Sequence, residues 1–390
     1  MKYDFDKVTD RKNTNSLKYD FAVERGKPAN VLPLWVADMD FPVADEITEK
    51  LSEVVAHGIY GYSEAKDSYF EVLREWMERY HGYSVKKEWL VKTPGVVFAL
   101  ALAIRAFSEA GDGVMIQNPV YYPFREVIED NDRKVVDNTL ILKDGRYIMD
   151  LEDFERRITQ ENVRIFILCN PHNPVGRVWT RQELSEIARI CLKYHVIVLS
   201  DEIHHDFVYE GYQHTTFATV DERLNDITVT CTAPSKTFNI AGLQVSNIFI
   251  ANEELRRKFK KELDRTGYSQ LNTAGLAACE AAYGKGRPWL EQLLVYLKGN
   301  LDFAREYISE KIPQIRLIEP EGTYLIWLDF RGLSLDNTQL EDLIVNKAGL
   351  WLDAGAIFGP SGEGFERINI ACPRSVLKEA LERIEKAVKG

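Results

Sequence analysis

The chain has 390 residues, 45% hydrophobic and 28% charged, ordinary values for a globular protein with one large core and a smaller second domain. A net charge of −11 offers no basic stripe for nucleic acid, and no run approaches the roughly 18 apolar residues of a membrane span. The opening Met1-Lys-Tyr-Asp-Phe-Asp6 has no apolar leader, so a cytoplasmic protein is expected.

In chain order, Val96–Ala110 reads as a nearly continuous apolar helix, too short for a membrane and therefore buried. A Gly-Asp-Gly turn then leads into a short strand, Gly113–Gln117. Val163–Cys169 is a fully apolar strand that stops at Asn170. Thr180 and Glu183 form a capping box opening a helix that runs through Tyr194. Val196–Ser200 is the next strand and ends at Asp201, followed by strands Ile227–Cys231 and Val245–Ala251. This alternation argues for βαβ units around a mostly parallel sheet. From Glu253 to about Leu297 the pattern is helical; a strand-like run, Gly322–Phe330, then opens a tail with its own alternation at Arg367–Ala371 and a final helix. The division expected is a large domain at 48–285, with 1–47 and 286–390 forming a small one.

Five cysteines (Cys169, Cys191, Cys231, Cys279, Cys372) are scattered without metal-ligand spacing, so reduced buried thiols are expected. His204 and His205 are adjacent; neighbouring side chains point apart and no i+4 partner follows, so no metal is expected.

Three groups fall at the C-terminal ends of different strands, the edge where open α/β sheets bind ligands: Asn173, Asp201 and Lys236. Lys236, in Ser235-Lys-Thr-Phe-Asn239, is an amine leaving a strand end in a small polar loop; taken alone, it reads as an ordinary surface lysine. Asp201 leaves a buried strand, where an unpaired carboxylate is expensive and a permanent cation would remove the cost; an N-cap explains it as well. Asn173 sits in the turn-rich Asn170-Pro-His-Asn-Pro-Val-Gly176. Thr93-Pro-Gly-Val-Val97 puts free N–H groups at a helix start, a seat for an anion. Tyr121, within Pro119-Val-Tyr-Tyr-Pro-Phe124, is either core or a platform for a flat ring. An amine, a carboxylate for a pyridine nitrogen, a donor for a ring oxygen and a phosphate nest are what aldehyde-cofactor chemistry on amino acids requires.

Asn-Pro-His-Asn-Pro-x-Gly, Ser-Asp-Glu-Ile-His and Ser-Lys-Thr-Phe-Asn, in that order, resemble the pyridoxal-phosphate enzymes of fold type I, aminotransferase class I/II. Leu34-Trp-Val-Ala-Asp-Met-Asp-Phe-Pro42, Tyr60-Gly-Tyr62, His204 and Arg367-Ile-Asn-Ile-Ala-Cys-Pro-Arg374 are similar, more narrowly, to the cystathionine β-lyase (MalY/PatB-type) group of carbon–sulfur lyases. The resemblance implies an α/β fold: a large domain with a mostly parallel seven-stranded sheet flanked by helices, plus a smaller α+β domain. It implies pyridoxal 5'-phosphate as cofactor, with Lys236 as the Schiff-base lysine and Asp201 as the pyridinium partner. Asn173 and His204 match groups near the ring oxygen, Tyr121 the stacking aromatic, and Val96, Val97 and Ser235 phosphate contacts. Tyr62 matches a tyrosine reaching the phosphate of a neighbouring subunit, which implies a homodimer with shared sites. Arg367 matches the arginine that takes the substrate α-carboxylate through its planar fork. Ala37, Tyr121 and Asn173 fall on the substrate side. Ala233 and Gln244 stand where many family members carry a serine and an arginine serving the phosphate, so this chain is expected to lean on backbone N–H groups, hydroxyls and Tyr62.

The activity implied is β-elimination on a sulfur amino acid such as cystathionine: Lys236 removes the Cα proton, a thiolate leaves Cβ, and the remainder hydrolyses to pyruvate and ammonia. Aminotransfer shares every step up to loss of that proton. A regulatory protein that binds the cofactor without turnover is the third reading, although it would have no need of the base.

Overall fold

The computed structural model describes residues 2–390. Seven strands form the central sheet: β1 (Leu90–Thr93), β2 (Gly113–Ile116), β3 (Lys134–Asp137), β4 (Val163–Cys169), β5 (Ile197–Asp201), β6 (Thr228–Thr232) and β7 (Ser246–Phe249). Their spatial order is β1-β7-β6-β5-β4-β2-β3, and only β7 runs antiparallel to its neighbours. Strand β4 is buried at every position but Arg164, as a strand covered on both faces must be. The expected parallel sheet is present. Strands β1 and β3, and a small hairpin of Ile141–Lys143 with Arg146–Ile148, were not foreseen; each is only three or four residues long.

Helix Val96–Phe107 packs its apolar surface against the sheet and against helix Glu253–Arg265, with Ala99, Leu100, Leu102 and Ala103 fully enclosed. It stops three residues before the expected Ala110. Ser108 leaves the helical conformation and turns its hydroxyl back onto the Ile104 carbonyl at 2.6 Å. The capping box holds as read: Thr180 accepts from Glu183 N–H and Glu183 from Thr180 N–H.

The long helical stretch is three helices, Glu253–Arg265, Thr273–Lys285 and Arg287–Lys311, and it ends well beyond Leu297. Gly267, at φ 73°, breaks the first; Asn272 caps the second through Gly275 N–H; Pro288 starts the third. A second sheet, fully antiparallel, follows: β8 (Arg316–Ile318), β9 (Leu325–Asp329), β10 (Asp353–Ala354) and β11 (Phe365–Asn369), in the order β8-β9-β11-β10. The strand expected at Gly322–Phe330 begins later, because Gly322 lies against the Phe207 carbonyl and Thr323 adopts φ 67°. Near the N-terminus Leu32–Pro33 pairs in parallel with Leu350–Trp351, which ties the first forty residues to the tail. The five cysteines are free and buried. No helix among the described residues is long and apolar enough to cross a membrane.

Candidate active site

Strands β4, β5 and β6 end in register. Cys169 lies opposite Asp201, and Asp201 opposite Cys231. Each strand therefore delivers its following residues to one edge: the Asn170–Gly176 turn, Asp201 itself, and the short helix Pro234–Thr237 carrying Lys236. This is the ligand-binding edge of an open α/β sheet.

A cavity of about 220 Å³ opens there. Its walls include Ala37, Val96, Val97, Tyr121 and Asn173, and its floor Asp201, His204, Ser235 and Lys236. Nine residues singled out in the sequence thus converge on one space, across almost 200 positions of chain. Lys236 Nζ donates to the Ala37 carbonyl at 2.9 Å, and the same oxygen accepts from Tyr324 Oη at 2.9 Å. Burial lowers the Lys236 amine to about 8; the Arg367 charge adds to this, while Asp38 and Asp201 oppose it.

Asp201 is buried, and the one hydrogen bond to its carboxylate comes from Ile203 N–H at 3.1 Å. Burial pushes its carboxyl up to about 7. His204 is held neutral, far below the usual histidine range, by burial and by the charges of Lys236 and Arg367. Its Nδ1 is buried without a hydrogen-bond partner. Gly95 precedes helix Val96–Phe107 in extended conformation, so the N–H groups of Val96 and Val97 have no acceptor within the helix.

Arg367 enters from the other sheet, on β11. Its Nη1 donates to Asn173 Oδ1 at 2.9 Å, its Nη2 to the Trp35 carbonyl at 2.8 Å, and it forms an ion pair with buried Asp353. Its Nε is buried and unpartnered. A guanidinium fixed on two sides, with its Nε–H and one Nη1–H unengaged, suits an incoming carboxylate.

Tyr62 stands apart from this cavity. It is fully exposed (101%) and lines an open depression with Tyr60, Gln244, Tyr268 and Asn272; Pro94 borders both spaces. Gln244 faces this outer depression, and Ala233 is buried. Several contributors were not foreseen: Cys169, Ile203, Ala241 and Val245 in the walls, Tyr324 on the Ala37 carbonyl, and Asp353 behind Arg367. Tyr324 and Asp353 lie in apolar stretches of the tail whose pattern announces strands and nothing more.

The donor set fits an aldehyde–pyridine–phosphate cofactor. An amine of lowered basicity faces the cavity beside a buried carboxylate that lacks a cation, an orphaned imidazole nitrogen and free helix N–H groups. Fold and site together define a pyridoxal-phosphate-dependent enzyme of fold type I. The chain belongs to the aminotransferase class I and II family, whose model matches residues 29–384. Cystathionine β-lyase PatB of Bacillus subtilis (strain 168) is 44% identical over 384 residues, spanning 98% of this chain and 99% of that protein. Protein MalY of Escherichia coli (strain K12) is 34% identical over 390 residues, 100% of this chain and 99% of its own. Among solved structures, cystalysin from Treponema denticola, which contains pyridoxal 5'-phosphate, superposes with a TM-score of 0.96 at 41% identity, covering 100% of this chain and 99% of that one.

Proposed function

We propose that this enzyme is a carbon–sulfur β-lyase that cleaves L-cystathionine and related cysteine S-conjugates to a thiol, pyruvate and ammonia. The observation that carries the chemistry is the convergence of Lys236, Asp201 and Asn173 on one cavity, with Arg367 bonded to Asn173 behind its wall. Whole-length similarity to proteins named cystathionine β-lyase supports the choice of bond.

Pyridoxal 5'-phosphate, when bound, supplies an electron sink for the pair left on the substrate Cα. The roles of the side chains follow from their environments. Arg367 Nε takes the α-carboxylate; Asn173 and Asp353 hold the guanidinium so that its orientation is set before substrate arrives. Lys236, lowered to about 8, is free base in roughly a tenth of molecules at pH 7, far more than an ordinary lysine, and removes the Cα proton. Asp201 keeps the pyridine nitrogen protonated, and in return that cation removes the cost of its buried charge. Neutral His204 and Asn173 would hold the ring oxygen, Tyr121 would pack on the ring face, and Val96, Val97 and Ser235 would hold the phosphate. Ala37 borders the substrate side. With the pair on Cα, the thiolate leaves Cβ.

Aminotransfer is the second reading, favoured by the family to which the chain belongs. It uses the same residues and differs in where the proton returns. The test is to supply cystathionine with no keto acid. Sustained release of pyruvate and thiol supports the lyase; turnover that needs an added keto acid overturns it in favour of aminotransfer. Absence of both, with the bound-cofactor absorbance intact, indicates a binding protein.

The same proposal includes a homodimer in which Tyr62 reaches the phosphate of the partner's site. Its full exposure beside other exposed apolar side chains (Val55, Ile59, Tyr60) supports this. A cytoplasmic location accords with five buried reduced cysteines. The large domain is proposed at 48–285 and the small one at 1–47 and 286–390. All seven strands of the first sheet fall within the former range, and all four of the second within the latter.

A further inference from the structure

Behind the cavity wall lies a second cluster of titratable groups that the proposed reaction does not use. Where His204 faces the cavity, His205 and Asp206 face the opposite way, toward helix Asp67–His81. Asp206 is enclosed, with a side-chain exposure of 1%. Its Oδ1 accepts from Trp76 Nε1 at 3.2 Å and meets His81 Nε2 at 3.0 Å. Its Oδ2 accepts from Thr237 Oγ1 at 2.7 Å and meets His205 Nε2 at 3.2 Å. Asp206 is thereby held well below the usual carboxylate range: burial opposes this, but the charge of His205 and the contact with His81 outweigh it.

His81, His205 and Asp206 bring ligand atoms within 4.8 Å of one another, near enough for a metal ion, but the orientation of the rings argues against one. The two rings are stacked 3.9 Å apart and 14° from parallel, so their Nε2 lone pairs run side by side rather than converge on one ion. Both carboxylate oxygens are also already engaged by Trp76 and Thr237. The cluster is a hydrogen-bond set organised around an anion.

We propose that Asp206 is a positioning residue that fixes the turn bearing Lys236. Thr237, which it holds, follows the lysine directly. The helix Pro234–Thr237 is a single turn, too short to be stable by itself. On its far side Asn239 donates to the carbonyls of Met39 and Phe41 at 3.0 and 2.9 Å and accepts from Met39 N–H at 2.9 Å. The chain directly after Lys236 is therefore tied down twice, by Thr237 onto Asp206 and by Asn239 onto the 39–41 segment. Proton removal from Cα depends on where Nζ sits, and misplacement by about 1 Å costs on the order of a hundredfold in rate. His81 and Trp76 supply the rigid side of the clamp, from a helix whose Trp76 also packs edge-on against Phe238. A buried carboxylate with donors on both oxygens is a stiffer anchor than a packed methyl group, because moving it would strand charge in the interior.

This inference rests on the reading of Lys236 as the base, and its test separates the two. Thr237→Val removes the hydroxyl at nearly constant volume, and Thr237→Ser restores it. Exchange of the Cα hydrogen of L-alanine for deuterium reports Lys236's proton transfer without any bond to sulfur. T237V is expected to slow both this exchange and cystathionine kcat about ten- to a hundredfold with KM within about twofold, and T237S to recover most of the rate. D206N is expected to behave as T237V does. In the cofactor-free protein, labelling of Lys236 by a small amine reagent, read by peptide mass spectrometry, is expected to change at least fivefold in T237V and not in T237S. Exchange, kcat and labelling unaltered in T237V and D206N, with only thermal stability reduced, would overturn the proposal. Exchange in K236A equal to that of the wild type would instead overturn the role of Lys236 itself.

Discussion

Arg367 and Asn173 are joined across the two sheets by a single hydrogen bond, Nη1 to Oδ1 at 2.9 Å, although 194 residues separate them in the chain. One residue sits in the turn after β4 and the other on β11. The contact makes the guanidinium and the amide a single mechanical unit, and Asp353 and the Trp35 carbonyl hold its other side. With Arg367 in the proposed role, substrate recognition depends on the second sheet being docked correctly against the first.

That arrangement makes Arg367→Lys far from conservative. A lysine retains one charge but cannot serve Asn173, Asp353, Trp35 and a substrate carboxylate together. We expect R367K to keep its cofactor absorbance and to lose about a hundredfold in kcat/KM, mostly through KM, in steady-state assays with cystathionine. A variant with wild-type KM would remove Arg367 from the carboxylate site.

Asp201 predicts a pH effect with a definite sign. Burial raises its folded pKa to about 7, against about 3.9 for an unfolded chain. Between those values the cofactor-free native state binds more protons than the unfolded state, so this group's contribution to stability falls as pH rises. Replacing it with asparagine removes that penalty. The melting temperature of cofactor-free D201N, measured relative to the cofactor-free wild type, is expected to climb from pH 5 to pH 8. With cofactor present the ordering should reverse, because the wild-type carboxylate then has its cation. A pH-independent difference in the cofactor-free pair would show that Asp201 titrates normally.

The pieces of the site that sequence reading found share a physical cause. Asn173, Asp201 and Lys236 each follow a short apolar run, and a polar residue at such a junction is conspicuous because leaving a strand end buried and charged is costly. The residues that went unseen act through distant partners: Asp353 behind Arg367, Tyr324 on the Ala37 carbonyl, Asp206 between Trp76 and Thr237. No local pattern encodes these, since each pairing exists only once the sheets and helices have packed. The same holds for the helices after Glu253. Their periodicity was plain, but the stops at Gly267 and Asn272 depend on single residues inside an otherwise helical pattern.

The turn that carries Asn173 is braced by the helix that follows it. Glu183 closes the capping box on Thr180 and also receives Arg177 Nη2 at 2.9 Å on each of its oxygens, while Arg177 is buried. Thr180→Ala removes only the cap and is expected to cost about 1 kcal/mol in urea unfolding. Glu183→Ala also strips a partner from a buried guanidinium, which retains Glu321, and is expected to cost about 2 kcal/mol. Equal losses for the two variants would mean that the Arg177 contact contributes nothing.

The most discriminating prediction concerns which subunit owns Tyr62. Within one chain it is fully exposed and lies in a depression outside the cavity that holds Lys236. If it serves the partner's phosphate, K236A and Y62A lesions fall in the same active site whenever the two variants form a hybrid. One site of that hybrid carries both defects and the other carries none. Each single variant should be nearly inactive as a homodimer, Y62A through a raised cofactor dissociation constant and K236A through loss of the base. Hybrids made by co-expression, with a different affinity tag on each chain, should recover about half the wild-type activity per dimer, because a two-fold dimer has two equivalent sites. If Tyr62 acted within its own chain, every site of the hybrid would keep one lesion and no activity would return. The measurement therefore tests the dimer, the shared site and the identity of the phosphate contact together, and a hybrid as inactive as its parents would rule out the shared site.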